Sequence, residues 1–588
     1  MRFKYLDVLK AIAIIAVVLY HSGYLEYGYL GVDLFLVING YFITKGLCNR
    51  VLTNNIPNKG GYISFEITRI VRLLPVLLLA SCGCMALGFY VMLPDDYENL
   101  SQSVIATNFF SNNILAAITT KNYWDVVNEY KPLMHTWYVG LVMQFYVVYP
   151  LLFYIARFNK KNPKHTLLIL VCVLLALSLM VYFLTKDDAY RFYYLPSRFF
   201  EFAAGGLVAL LWKQNENSKS FRKIIAYLCY AVLVSLMVIN HPIMPSNIRL
   251  VIIVALSVVL ITSSNELENV ITENNIIAKI GAASYSIFVW HQILLAFYRY
   301  SISSEFTILS YVLLITVVGI LSWLTYNFIE QKTSSWLKEK RLKYLFYSIL
   351  IVVFVGLNTF AAYIYLHAGV VRDVPELYIN KDNIHRGLHS EYNDKIYQLN
   401  KPFVTDRLHW LVVGNSFGRD FANVILESNV ADNVEVSYIP YDDFSNDKYS
   451  ERYTSADRVF FSSLGANEKK ISEVENICEK NGFDIKKIII VGTKNFGESN
   501  GQFYFHRNRP DYFFQRTKME NGYLEVNQRL KDIYGIRYLD LIELVIDKDE
   551  TVPVFTPDHH YISQDCRHFS KGGAIWFAQL ISWKRFFN

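Results

Sequence analysis

Apolar runs of roughly 17 residues or more recur through the first two thirds of this chain, and few folds in water can hide so many. Each run is long enough to cross a hydrocarbon layer of ~30 Å at ~1.5 Å of helix per residue. The runs stop near residue 370 of 588, so two dissimilar parts are expected. Helices are predicted at 6–22, 29–47, 72–93, 133–156, 165–185, 195–213, 222–240, 248–263, 276–298, 306–329 and 344–367, with 6–22 read as a first span and not as a cleaved signal. Cations decide the orientation. With the N-terminus inside, Arg69, Arg72, Arg157, Lys160, Lys161, Lys164, Arg222 and Lys223 are among many on the cytoplasmic side. Only Lys121, Lys131, Lys186, Arg191, Arg198, Arg249 and Arg299 fall outside, as the positive-inside rule requires. An odd number of spans then sends the C-terminal part out of the cell. The net charge of +6 therefore reads as topology and not as a nucleic-acid surface.

After about residue 373 the pattern changes. Short β-branched runs at 409–413, 434–439, 458–462, 487–492 and 537–541 alternate with helix-compatible stretches at 417–427, 468–480 and 573–583. That alternation predicts a mainly parallel sheet wrapped by helices. Residues 371–400 read as a linker or a capping segment. The chain thus divides into a membrane domain over 1–335, a linking helix and linker over 336–404, and an extracytoplasmic α/β domain over 405–588. The seven cysteines show no metal-ligand spacing, no metal site is expected, and Cys82 and Cys84 read as core thiols.

Ionisable groups inside apolar spans are costly, so each is a site candidate. Lys10 and His21 are eleven residues apart, close to three helical turns, which puts them on one face with Cα atoms ~16 Å apart along the axis. Arg69 and Arg72, spaced i, i+3, suit an anionic ligand, although an ordinary anchor at a helix start explains them equally simply. Asp33, His135, Trp137, Arg198, Glu201 and His291 fall near the outer ends of several helices. Interhelical hydrogen bonding is as good a reading for any one of them as chemistry.

Taken in order, these residues resemble the acyltransferase-three family of membrane O-acyltransferases. The stretch from Leu6 to Lys10 and His21 is followed by the run Gly31–Gly40, Arg69 with Arg72 and Pro75, and Lys131 through His135 to Trp137. Gln144 to Tyr146, Arg198 to Glu201, Ser284 to Ser286, Trp290 with His291, and Tyr326 to Glu330 complete the series. The resemblance implies transfer of an acyl group, usually acetyl from cytoplasmic acetyl-CoA, to a sugar hydroxyl across the membrane. It makes His21 a catalytic base and Lys10, Arg69 and Arg72 the acyl-donor site. Lys10 stands where the family has arginine, which keeps the charge and loses the bidentate fork. Val142 and Met143 stand where a glutamate is common, so no carboxylate role is assigned there.

In the second part, Leu411 to Phe417 places Ser416 directly after a predicted strand, at the carboxyl end where open parallel sheets bind ligands. Asp565 precedes His568 by three residues, a spacing that lets a carboxylate orient an imidazole able to deprotonate a serine. Alone, each piece is weak. With Gly465 after the third strand and Asn495 after the fourth, the series resembles the SGNH hydrolase family. That resemblance makes Ser416 the nucleophile, His568 its base, Asp565 the orienter, and Asn495 with the N–H groups of Ser416 and Gly465 the oxyanion hole. Asn415 replaces the family's usual aspartate.

The expected activity is an O-acetyltransferase of the bacterial plasma membrane. It would use acetyl-CoA as donor substrate, no bound cofactor, and a cell-surface glycan as acceptor, an O-antigen or other lipid-linked polysaccharide, with peptidoglycan as the alternative and Ser416 as acyl carrier. A membrane-anchored glycan esterase and a multi-span transporter are the readings from other classes.

Overall fold

The computed structural model describes residues 3–48, 61–119, 128–212, 219–239, 244–263, 275–383 and 388–587. They form two compact units, Met1–Gly88 with Asn99–Arg299 and Glu305–Tyr363, and Phe89–Glu98 with Tyr300–Ser304 and Ile364–Asn588. Lys121 lies outside the described residues.

The first unit is a helical bundle with a helix at every one of the eleven expected positions. Among the described residues, eight helices are long and apolar enough to span a membrane alone. The helix expected over 276–298 is two: Ile276–Ala282 and Ser284–Ser301, which pass the same length and composition test only together, meet at 75°. The remaining two, Lys4–His21 and Leu195–Leu211, each carry buried charge, Asp7 in one and Arg198 with Glu201 in the other. Leu177, Met180, Val312, Leu313, Val352 and Val355 point outward, as lipid-facing side chains do. The chain is a multi-pass membrane protein.

Small residues bring the key helices together. A Cβ added to Gly40 would strike the Phe202 carbonyl, and one added to Gly205 would strike that of Val37. The helices Gly31–Leu47 and Leu195–Leu211 therefore pack backbone against backbone, as small residues allow within a membrane. That contact is what sets Asp33 opposite Arg198. The third helix begins at Gly61 and not at 72, which puts Arg69 and Arg72 within it. Two helices, Pro94–Asn108 and Asn112–Thr119, carry no sequence signal of the kind used above. A single wide turn of π type, Tyr326–Glu330, interrupts the span beginning at Ile308; such turns often accompany functional positions.

The second unit holds a five-stranded parallel sheet, built from β1 (Leu408–Gly414), β2 (Val434–Pro440), β3 (Arg458–Ser462), β4 (Ile488–Val491) and β6 (Tyr538–Leu539), in the order β2-β1-β3-β4-β6. β5 (Arg516–Lys518) and β7 (Thr551–Pro553) form a separate antiparallel pair. Alternate side chains feed two cores: Trp410 and Val412 pack with Phe421, Phe460 and Phe577, while Leu411 and Val413 pack with Val459, Phe461 and Ile490. The segment expected as a linker or cap is a cap. Its helix Leu388–Tyr397 buries Ile396 in the first of those cores, and the compact unit starts at Ile364, well before 405.

Candidate active sites

Among the described residues, two cavities of the bundle gather the candidate side chains. The first, about 410 Å³, is lined by Lys10, Asn39, Arg69, Arg72, Tyr138, Tyr146, Tyr285 and Glu330. Lys10 Nζ lies 3.2 Å from Asp7 Oδ1. The Arg69 guanidinium sits over the rings of Phe65 and Tyr146, at 5.1 and 5.5 Å. Asn39 bridges two tyrosines, donating to Tyr138 at 2.7 Å and accepting from Tyr146 at 3.2 Å. Glu330, carried inward on the wide turn, accepts from Ser286. Three cations around an aromatic-walled cavity make a site for an anionic ligand with a flat group.

The second cavity, about 1000 Å³, is lined by His21, Asp33, His135, Trp137 and Arg198, with Tyr20, Tyr24, Tyr29, Glu129 and Phe192. Lys10 and His21, on one helix, thus border different cavities. Phe288 lines both, with His135 and Tyr138 packed on its ring at 5.0 and 5.2 Å.

The imidazoles define which atom of His21 can act. His291 Nδ1 lies 3.1 Å from the Ile287 carbonyl, and a carbonyl only accepts, so that nitrogen bears the proton. With one proton per ring, His291 Nε2 then accepts from His21 Nδ1 at 2.8 Å, leaving His21 Nε2 as the lone-pair nitrogen. Arg299 holds the His21 carbonyl at 2.6 Å. His135 uses Nε2 on the Val289 carbonyl at 3.1 Å. The outer candidates therefore separate into two groups. His135 and His291 join His21, whereas Arg198 pairs with Asp33 and, through Nε, with Glu201 at 3.1 Å. Glu201 and His291 stand behind the cavity wall.

In the second unit, the helix Ser416–Leu426 starts where β1 ends, and Asn415 caps it by accepting from Phe417 N at 3.0 Å. The same Asn415 Oδ1 accepts from Leu464 N at 3.2 Å, tying the loop after β3 to the serine turn. An asparagine thus does here what a carboxylate oxygen would do. Ser416 Oγ lies 2.9 Å from His568 Nε2, and His568 Nδ1 lies 2.6 Å from Asp565 Oδ2. The other carboxylate oxygen accepts from His568 N at 2.7 Å, Arg567 N at 3.0 Å and Ser563 Oγ at 3.3 Å. Burial works against charge on Asp565, but the His568 ring and these N–H donors outweigh it and hold the carboxyl below the ordinary carboxylate range. The arrangement can take a proton from Ser416 and return it.

Gly465 has φ +62°, a left-handed backbone that glycine adopts freely. Asn495 is buried, its Oδ1 accepting from Gly497 N at 3.0 Å and Glu520 N at 2.9 Å, while its Nδ2 has no hydrogen-bond partner among the described residues. A buried amide donor left open is the kind of group that stabilises a developing oxyanion. Two further side chains have no motif to mark them in the sequence. Asp420 and Lys494, both buried, pair at 2.9 Å beside the triad.

The acyltransferase domain of the acyltransferase-three family matches residues 3–327. The chain is 26% identical over 343 residues to O-acetyltransferase OatA of Staphylococcus aureus strain NCTC 8325 / PS 47, a match covering 55% of this chain and 56% of that protein. The figures are the same for OatA of strains COL and MRSA252. The chain therefore spans about half the length of the curated relatives it matches. No solved structure matches.

Proposed function

Because the chain belongs to the acyltransferase-three family, we propose that it is an O-acetyltransferase carrying acetyl from cytoplasmic acetyl-CoA to hydroxyls of a cell-surface glycan. The phosphates of the donor sit against Lys10, Arg69 and Arg72, and the thioester passes Phe288 toward His21. There His21 Nε2 takes the proton of an acceptor hydroxyl, whose oxygen bonds the acetyl carbon as the thioester C–S bond breaks, and returns that proton to the departing sulfur so that CoA leaves as the thiol. Ser416 Oγ then attacks the resulting ester, its proton passing through His568 to the displaced carrier oxygen, and holds the acetyl group as an ester. A glycan hydroxyl, deprotonated by His568, attacks that ester, and Ser416 regains its proton as the new ester forms. The open Nδ2 of Asn495, with backbone N–H groups of Ser416 and Gly465, meets the negative oxygen of each tetrahedral state.

The observation that carries this reading is the hydrogen-bonded Ser416–His568–Asp565 chain, present in the same polypeptide as a family-matched bundle with two cavities, both bordered by Phe288. The membrane is the bacterial plasma membrane, with the N-terminus cytoplasmic and the α/β domain outside; the cation distribution along the sequence supports that topology. Mass analysis of the surface glycans of a host with wild-type protein, with Ser416→Ala and with neither provides the test. Acetyl esters are expected only with wild type. Equal acetylation by Ser416→Ala removes the serine from the route, and the identity of the acetylated fraction distinguishes lipid-linked polysaccharide from peptidoglycan.

A further inference from the structure

Ser416, Asn495 and the pair Asp565 and His568 come from three separate stretches of chain: the helix after β1, the loop after β4, and the segment before the helix Lys571–Leu580. One buried carboxylate touches all three. Asp420 lies one helical turn beyond Ser416, at i+4, and so on the same face of its helix. Its Oδ2 accepts from Phe569 N at 3.0 Å, the residue after His568, and lies 2.9 Å from Nζ of Lys494, the residue before Asn495. Its Oδ1 accepts from Arg419 at 3.2 Å.

Lys494 is 2% exposed and Asp420 1%. The ammonium also sits 3.4 Å from the centre of the Phe417 ring and 4.8 Å from that of Phe569, the residues next to the nucleophile and next to the base. A buried ion pair is no efficient source of stability, because desolvating two charges cancels much of their attraction. What it does supply is direction, since each partner accepts few geometries.

We propose that Asp420 and Lys494 are positioning residues that set the distance between Ser416, His568 and Asn495, without touching the reacting atoms themselves. This rests on the reading of Ser416 as a nucleophile, and the experiment separates the two. Full-length protein in detergent is treated with a fluorophosphonate. Ser416 Oγ forms a bond to phosphorus, fluoride leaves, and the hydroxyl proton passes to His568 Nε2, so the rate of labelling reports the geometry of the triad whatever the natural acceptor. Labelled Ser416 is followed by mass spectrometry, and unfolding temperature is measured beside it.

Removing one partner alone strands a buried charge, so the informative variant is the double replacement Asp420→Leu with Lys494→Met, which is apolar and keeps the branching of the one side chain and the length of the other. The expected result is an unfolding temperature near that of wild type with labelling slowed about 100-fold, the cost of a misplacement near 1 Å. Lys494→Arg, which keeps the charge opposite Asp420, is expected to label far faster than the double variant. A double variant that labels at the wild-type rate overturns the proposal and leaves the pair a stability device. Wild type that labels no faster than Ser416→Ala overturns the nucleophile reading, and the positioning role falls with it.

Discussion

Replacing Asp565 by asparagine changes one atom in the wall of the triad, and the hydrogen bonds around that atom dictate the consequence. The Oδ1 position must remain an acceptor, because it receives the N–H groups of His568 and Arg567 at 2.7 and 3.0 Å. An asparagine therefore keeps its carbonyl there and turns its amide toward His568 Nδ1, now 2.6 Å from Oδ2. An amide N–H only donates, so His568 is driven to carry its proton on Nε2, the atom that must accept from Ser416. The base is then in the wrong tautomer while the backbone around it is unchanged. The expected loss is about 10⁴-fold in turnover, a difference worth about 5 kcal/mol in activation free energy. Steady-state hydrolysis of an aryl acetate by full-length protein is the assay, with circular dichroism to establish that the fold persists. A folded Asp565→Asn variant within tenfold of wild type refutes the tautomer argument.

Three further outcomes are expected. The charge of Asp565 is opposed by burial but held by His568 and the backbone N–H groups, so its folded pKa lies below the unfolded value of about 4; its stabilisation is complete above that value and fades as pH falls toward the folded one. The gap in unfolding temperature between wild type and Asp565→Asn should accordingly narrow from about pH 6 to about pH 3, and a gap independent of pH contradicts this. In the bundle, His291→Leu removes the acceptor that fixes His21 and should lower glycan acetylation about 100-fold or more, whereas His291→Gln, which can accept from His21 Nδ1, should retain much of it; equal loss in both variants argues for a packing role. Gly205→Leu would drive a side chain into the Val37 carbonyl, and size-exclusion profiles in detergent should show aggregation where Gly205→Ala shows a milder effect.

Much of the fold was legible because its signals are local. Every apolar run became helical, one of them as two helices, and the five β-branched runs became the five parallel strands, since length and side-chain periodicity largely dictate these elements. The misplaced features reflect physics that is not local. Pro94–Asn108 is hard to read because it carries Asp95, Asp96 and Glu98 and lacks an apolar run. The bend between Ile276–Ala282 and Ser284–Ser301 falls at Ala283, a residue that favours helix and gives no warning. In the sites, the spacing of Asp565 and His568 could be read because they lie on one short segment. The pairing of His21 with His291 joins positions 270 apart, and Asp420 looks like any polar residue on a helix until its burial is seen. Phe288 likewise gave no sign that it would line two cavities.

At the centre of the proposed function, one acetyl group travels from a cytoplasmic thioester to Ser416. Membranes containing the full-length protein, given isotopically labelled acetyl-CoA and quenched in acid, test this directly by mass spectrometry of the peptide bearing Ser416. Labelled acetyl on Ser416 is predicted in wild type, and none with His21→Ala. Label reaching glycan while Ser416 remains unmodified at every time point, or label on Ser416 undiminished by His21→Ala, would contradict it.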